Sequence, residues 1–193
     1  MKVATSKYWD SLDFLAVGAE SSKEVFDKIG LFDEELSKCQ DDELNLRLRR
    51  FGGTILLYPK IKSWYYPRSS FKKLWRQYYG YGFWKIRVFQ KHPLQMKLRH
   101  FVPAGFVLTL IVCLLLGLAT NNFFFASALP LVYFAVSVLC SIKVQSKNRD
   151  ASIHEILISF FILHFGYGIG FLHGLIRFFP RWFDSKDTST FTD

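Results

Sequence analysis

The chain has 193 residues, of which half are hydrophobic, and its formal net charge is +9. This length has room for one modest soluble domain together with membrane spans, and for little more. The positive charge indicates acidic partners such as phosphorylated sugars, anionic lipid headgroups or nucleic acid. The sequence contains no Walker loop, no Cys/His metal-binding spacing and no nucleophile elbow, which removes several common enzyme classes.

The first predicted elements are a short strand and a helix. The apolar run from Leu12 to Ala19 indicates a short buried strand. Ser21 and Glu24 have the spacing of a capping box, which predicts the start of a helix. We expect this helix to end at Gly30, because glycine accepts the left-handed backbone of a C-terminal cap.

A second helix is predicted to begin at an acidic turn. There, Asp41 and Asp42 face unpaired backbone amides and the positive end of the helix dipole. Gly52 and Gly53 end this helix, and the run over residues 54–58 predicts a short strand. Apolar residues at helical spacing predict the buried face of the helix: Leu44, Leu48 and Phe51.

These residues resemble a known family. The run Gly30-Leu-Phe-Asp-Glu, followed by Gln40-Asp-Asp-Glu-Leu-x-x-Arg-Leu-Arg49, is similar to the second half of a family-2 glycosyltransferase. The resemblance covers about residues 11–93 and points to membrane-attached enzymes of exopolysaccharide assembly, of the succinoglycan-biosynthesis type. It implies an α/β fragment, the acceptor-side half of a GT-A domain. An amphipathic interface helix and an α-helical transmembrane region are expected to follow.

The resemblance implies an inverting sugar transfer from a nucleotide-sugar donor to a glycan acceptor, expected to be lipid-linked. Such a transfer needs a base for the acceptor hydroxyl and a charge clamp for the leaving diphosphate. The family's catalytic base corresponds to Asp41. We expect Asp42 and Glu43 either to support it by orienting it or merely to cap the helix. Gln40 stands where the family usually has glutamate. An acidic pair at a helix start is also the ordinary composition of a helix cap.

The resemblance further implies a divalent cation, Mg or Mn, held by an Asp-x-Asp motif. The sequence contains no Asp-x-Asp, and it lacks the alternating strands and helices of a nucleotide-binding half. We therefore expect that half to lie upstream of residue 1, or in a separate polypeptide, and the chain to be inactive alone. A separate N-terminal half or other glycan-assembly proteins are the expected protein partners.

Ser69 is predicted to cap a long amphipathic helix over residues 70–91. Aromatic residues opposite lysines and arginines are typical of a helix in the membrane interface, although a core helix with a solvated basic face has the same pattern. The resemblance assigns contacts with the donor diphosphate or the acceptor to Trp75, Arg76 and Gln77. The two faces consist of Phe71, Trp75, Tyr78, Gly82, Ile86 and Phe89, and of Lys72, Arg76, Arg87 and Lys91.

Three apolar segments follow. Residues 101–119 and 123–142 carry no charge, and each approaches the roughly 20 residues that cross a hydrocarbon core. The uncharged turn over residues 120–122 predicts a helical hairpin. Basic residues flank this hairpin on both sides, so the positive-inside rule places both flanks in the cytoplasm.

The third segment, residues 156–179, leaves its topology open. Its glycines recur every four residues, which lets another helix approach closely. If it crosses the membrane, basic residues after it end on the outside, against the charge bias, so a re-entrant hairpin remains the alternative. His164 and His173 are either functional intramembrane groups or, the preferred interpretation, imidazoles that are bonded to neighbouring helices or lie near the interface. The glycines of this segment with four-residue spacing are Gly166, Gly170 and Gly174.

The predicted plan therefore has four parts, a partial glycosyltransferase domain, an interface helix, a transmembrane region of two or three helices and a polar tail. They cover residues 1–67, 68–100, 101–179 and 180–193. We expect a multi-pass protein of the inner (plasma) membrane with its catalytic part in the cytoplasm. The alternative is a non-enzymatic, membrane-anchored lipid-binding or assembly protein. Nucleic acid is not an expected partner, because the basic residues follow the membrane spans.

Overall fold

The computed structural model forms two units, Met1–Arg68 and Ser69–Asp193. Each unit has its own internal contacts. The predicted capping box at Ser21 and most of the predicted polar tail lie outside the described residues. The structure describes residues 15–17, 22–57, 70–93, 96–147 and 150–183.

The first unit contains two short strands and two helices around a small apolar core. Strands β1 and β2 pair antiparallel, with Leu15 opposite Leu57 and Val17 opposite Ile55. Helices α1 and α2 contribute most of the buried apolar side chains, in the pattern that the helical spacing predicts. The elements are β1 (Leu15–Val17), α1 (Ser22–Ile29), α2 (Gln40–Arg50) and β2 (Ile55–Leu57). The core consists of Ile29, Leu44 and Leu48, with Val25, Phe26 and Ile55 packed against it.

Glycine ends both helices of this unit. Gly30 has a φ of +78°, and its amide donates to the Phe26 carbonyl at 2.8 Å, as the predicted left-handed cap requires. A Cβ added to Gly53 would lie 2.9 Å from the carbonyl oxygen of Leu48, so a larger residue there would require a shift of the backbone. The prediction that Phe51 is buried was wrong, because this residue already lies beyond the last helical turn and is 58% exposed.

The prediction of an α/β GT-A fragment is wrong for the described part of the chain. Helices dominate there, and the strands form a two-stranded antiparallel pair of three residues each. A GT-A half needs a layered sheet that buries helices against its faces. Two strands of this length cannot supply such a face. The helix-forming signals of the motif were therefore sound, but the fold class drawn from the resemblance was not.

The second unit is helical in its described residues. Helix α3 begins at the N-cap Ser70, whose hydroxyl accepts the Lys73 amide at 3.3 Å. The cap is therefore Ser70 rather than the predicted Ser69. The helices are α3 (Phe71–Lys91), α4 (Val102–Thr120), α5 (Phe123–Lys147) and α6 (Ile153–Phe178), with short 3-10 turns at Leu98–His100 and Phe179–Trp182.

Helices α4 and α5 form the predicted hairpin. Asn121 adopts a left-handed backbone with a φ of 54°, and the Asn122 amide donates to the Gly117 carbonyl at 3.0 Å. A Cβ on Gly117 would lie 2.8 Å from that of Ala126, so the two helices touch closely at the turn. Helices α4, α5 and the segment Ile153–Trp182 are each long and apolar enough to cross a membrane. Most side chains of α4 and α5 are exposed, which indicates that the protein associates with a membrane.

Helices α3 and α6 run parallel and touch through their backbones. A Cβ on Gly170 would clash with the carbonyl of Tyr79, and one on Gly174 would clash with the carbonyl of Phe83. One turn earlier in α6, Gly166 packs against Trp75 of α3. The prediction that this four-residue spacing admits a neighbouring helix is confirmed. The neighbour is the amphipathic helix α3, which the glycine spacing alone did not specify.

We expect Gly170→Ala to destabilise the second unit, because the added methyl group meets backbone that cannot rotate away. The cost should be about 1–3 kcal/mol, as for other overpacked interiors. Gly105→Ala is the matched control, since a Cβ there meets nothing within 4 Å. The measurement is the fraction of detergent-purified full chain that remains monodisperse after heating. Equal losses for both variants would contradict the packing described here.

Candidate functional site

The entrance of α2 positions the predicted acidic residues. Cys39 precedes the helix with a left-handed backbone, φ 62°, and its carbonyl accepts the Glu43 amide at 3.0 Å. Asp41 and Asp42 lie in the first turn, and both are exposed. Their carboxylates therefore lie near solvent at the positive end of the helix dipole.

Glu43 has a different environment from its two neighbours. It is fully buried, and its carboxylate forms a two-pronged ion pair with Arg47, which is 5% exposed. Nε of Arg47 donates to Oε1 at 2.7 Å, and Nη2 donates to Oε2 at 2.8 Å. Such a planar, two-pronged arrangement is the strong form of a charged hydrogen bond. Glu43 thus points into the unit, whereas Asp41 and Asp42 face outwards.

Arg47 also fastens the preceding helix and loop to α2. Its Nη1 donates to the carbonyl of Ile29, and its Nη2 donates to the carbonyl of Leu31 at 2.6 Å. Arg47 therefore satisfies carbonyls that the C-terminus of α1 leaves without helical partners. We call the set of Glu43, Arg47 and these two carbonyls the Arg47 clamp. It determines how α2, and with it Asp41, is held against α1.

The loop between the two helices is fixed at a second point. The Asp33 carboxylate accepts the Glu35 amide at 3.0 Å, and the Asp33 carbonyl accepts the Leu36 amide at 3.2 Å. Leu36 is fully buried. The loop that leads to the acidic turn is thus held by a buried side chain as well as by the Arg47 clamp.

Glu43→Gln should loosen the first unit, because it removes the charge that balances buried Arg47. Breaking a buried pair in this way costs about 3–5 kcal/mol. Hydrogen exchange of the full chain should show faster exchange for amides of α2 and of the loop before it. Glu34→Gln is the matched control, since Glu34 is exposed and such changes stay within about 0.5 kcal/mol. Unchanged protection in Glu43→Gln would show that the clamp does not hold the loop.

Trp75, Arg76 and Gln77 do not converge on one point of α3. Trp75 is half-buried beside α6, Arg76 is exposed, and the Gln77 amide donates to the hydroxyl of Tyr81 at 2.7 Å. Consecutive helical residues point about 100° apart, so three in a row cannot share a face. Their assignment to the donor diphosphate or the acceptor stays a prediction.

Both histidines of α6 are bonded to tyrosines on neighbouring helices. His164 Nδ1 lies 3.1 Å from the hydroxyl of Tyr133 on α5, and His173 Nδ1 is bonded to the hydroxyl of Tyr79 on α3. This confirms the preferred interpretation of these imidazoles as bonded to neighbouring helices.

The described part of the chain contains no set of side chains that could bind a divalent cation. No three His, Cys, Asp or Glu side chains come together there in a way that could hold a metal ion. The acidic turn brings only Asp41 and Asp42 to the surface, because Glu43 is committed to Arg47. The described residues do not fit the cation that the resemblance implies.

Comparison with known proteins identifies glycosyltransferases among the relatives of this chain. It is 38% identical over 80 residues to the succinoglycan biosynthesis protein ExoA of Rhizobium meliloti (strain 1021), which covers 42% of this chain and 24% of ExoA. It is 29% identical over 160 residues to the dolichyl N-acetyl-alpha-D-glucosaminyl phosphate 3-beta-D-2,3-diacetamido-2,3-dideoxy-beta-D-glucuronosyltransferase of Methanococcus voltae. That match covers 83% of this chain and 46% of the M. voltae protein.

The aligned parts are less than half the length of each of these relatives. No family model and no solved structure matches the chain. The resemblance to glycosyltransferases of the exopolysaccharide type is nevertheless confirmed by these two relatives.

Sequence reasoning missed the role of Arg47. The sequence pattern gave this residue no role, whereas in the structure it lies at the buried centre of the first unit. A signal was present, because Glu43 and Arg47 are spaced i, i+4 and stand directly beside the buried Leu44 and Leu48. The spacing indicates an ion pair, but only the packing of α1 shows that the pair is buried.

Proposed function

We propose that this chain is the acceptor-side, membrane-attached part of an inverting glycosyltransferase in exopolysaccharide or cell-surface glycan synthesis. The similarity to the two relatives carries the proposal. A lipid-linked acceptor is supported by the name of the M. voltae relative, which contains a dolichyl sugar phosphate, and by the three apolar helices. The proposed location is the inner membrane, with the first unit in the cytoplasm.

Asp41 is the proposed general base. Its carboxylate accepts the proton of the acceptor hydroxyl while that oxygen attacks the anomeric carbon of the donor sugar. The bond to the nucleotide diphosphate breaks on the opposite face, which inverts the configuration. Its exposure at the entrance of α2 supports this role, since an acceptor hydroxyl can reach the carboxylate there. The Arg47 clamp holds α2 in place beneath it.

The donor-binding part of the reaction requires groups that this sequence does not provide. The glycosyltransferases that this chain resembles hold the nucleotide sugar through a divalent cation, which neutralises the diphosphate. This sequence lacks the Asp-x-Asp motif that would bind the cation. We propose that a nucleotide-binding polypeptide segment outside this sequence supplies those groups. Asp42 then keeps a supporting role next to the base.

Asp41→Asn should lower sugar transfer by about 10²–10⁴-fold, the usual contribution of a general base. The assay is glycan synthesis by membranes from the source cells, in which the variant replaces the natural chain within its complete system. Asp27→Asn, an exposed aspartate on α1, is the matched control and should keep normal activity. Membrane content of each variant is checked by immunoblot. Full activity of Asp41→Asn would favour the alternative, a non-enzymatic assembly or lipid-binding protein.

The purified chain alone should transfer no sugar from a nucleotide-sugar donor, because it lacks a clamp for the leaving diphosphate. Radiolabelled donor, Mn²⁺ or Mg²⁺ and a membrane extract containing lipid-linked acceptors provide the assay. Addition of the nucleotide-binding polypeptide should restore transfer. Robust turnover by the chain without it would refute the proposed division of labour.

A further inference from the structure

The last apolar helix is paired with a helix that cannot enter a bilayer. Helix α3 carries six basic residues and no acidic one, and it runs parallel to the second half of α6. Near the end of that half, the side-chain amide of Gln90 donates to the carbonyl of Phe178 at 2.7 Å. The pairing thus extends over several turns. The basic residues of α3 are Lys72, Lys73, Arg76, Lys85, Arg87 and Lys91.

The glycines of α6 make this pairing too close to be replaced by lipid. Carbonyls of α3 occupy the space where Cβ atoms would stand on Gly170 and Gly174. The close contact also involves a glycine of the other helix, because Gly82 of α3 lies against the backbone of Tyr167 in α6. If the second half of α6 crossed the hydrocarbon, α3 would have to cross with it. Charged side chains in hydrocarbon are costly, so the pair belongs at the membrane surface.

The contacts between α6 and the α4–α5 hairpin agree with this placement. A Cβ on Gly168 would lie 2.6 Å from the carbonyl of Pro103 and 2.7 Å from Cγ2 of Val107, both in the first two turns of α4. From Leu108 onwards, the only buried residue of α4 is Gly117, which touches α5. Helix α6 is about 39 Å long at 1.5 Å per residue. A third span beside the hairpin would cover α4 along its length, and α6 does not.

The distribution of charge gives a third reason. No acidic residue occurs between Glu43 and Asp150. Exposed basic residues lie on α3, before α4, at the end of α5 and at the end of α6. With two crossings, all of these charges share one side of the membrane, as the positive-inside rule requires. With three crossings, the charges at the end of α6 lie on the opposite side. The exposed basic residues of these four regions are Lys72, Lys73, Arg76, Lys97, Arg99, Lys143, Lys147, Arg177 and Arg181.

We propose that the chain crosses the membrane twice, through α4 and α5, and that α3 and the second half of α6 form a two-helix surface unit seated on anionic phospholipid headgroups. Apolar side chains of α6, among them Ile169, Leu175 and Ile176, are exposed and face the acyl boundary. The exposed basic residues of α3, Lys72, Lys73 and Arg76, meet the headgroup phosphates. The C-terminal end of α6 lies on the same side as α3. This inference does not depend on the proposed sugar transfer.

Cysteine accessibility in intact cells and inside-out vesicles tests the topology. The full chain carries Cys39→Ala, Cys113→Ala and Cys140→Ala, plus one added cysteine at an exposed position. Lys73→Cys reports α3, Thr120→Cys the hairpin turn and Phe183→Cys the end of α6. With a membrane-impermeant maleimide, Phe183→Cys should share the accessibility of Lys73→Cys and be opposite to Thr120→Cys. If Phe183→Cys shares the side of Thr120→Cys, or all three share one side, the two-crossing proposal is overturned.

Lipid composition tests the partner of the surface unit. The chain with Lys73→Cys is placed in phosphatidylcholine nanodiscs with or without about 30% phosphatidylglycerol, whose charge attracts nearby lysines and arginines. Maleimide labelling should be roughly threefold slower with the anionic lipid, and about 0.5 M salt should reverse part of this effect. Labelling of Thr120→Cys should not change. Equal rates for Lys73→Cys in both lipids would overturn the headgroup assignment.

Charge variants exclude a general effect of net charge. Lys72→Gln with Arg76→Gln should remove the lipid effect on Lys73→Cys, whereas Arg49→Gln with Arg50→Gln, two exposed arginines of the first unit, should retain it. A single-stranded DNA oligonucleotide added to phosphatidylcholine nanodiscs should leave the labelling unchanged. Protection by the oligonucleotide but not by phosphatidylglycerol would assign this surface to nucleic acid instead.

Discussion

Close backbone contact between α3 and α6 is the constraint on which the second unit depends. Glycines of α6 at four-residue spacing receive carbonyl groups of α3, so the two helices approach more closely than side chains would allow. Their parallel direction places like ends of two helix dipoles side by side, which is mildly unfavourable. The Gln90 amide offsets part of this by donating to the carbonyl of Phe178 at the C-terminal end. Through this contact, the apolar helix α6 is packed against a helix that carries six basic residues.

In the first unit, a single arginine holds the two helices together. Arg47 binds the carboxylate of Glu43 and the carbonyls of Ile29 and Leu31. A lysine could not replace it, because a single ammonium group lacks the planar set of donors that reaches the carboxylate and both carbonyls. A buried charge of this kind is stable only when its partners are complete. The burial of Glu43 also explains why the acidic turn presents two carboxylates to solvent rather than three.

The local signals in the sequence were reliable where neighbouring residues decide the conformation. The left-handed cap at Gly30, the acidic start of α2 and the turn over residues 120–122 all occur where they were predicted. Predictions failed where distant packing decides. Arg87 was assigned to the basic face of an amphipathic helix, yet it is 1% exposed. The GT-A fold class rested on a resemblance, and the described strands are too short to build its sheet.

The sequence by itself determined the helices, the hairpin, the glycine spacing and the similarity to glycosyltransferases, because each is written in residues that stand close together in the chain. Only the tertiary structure decided which helix fills the glycine face of α6 and which carboxylate of the acidic turn is buried. Periodicity shows that residues share one side of a helix. What covers that side depends on segments far apart in sequence, here 91 positions between Tyr79 and Gly170.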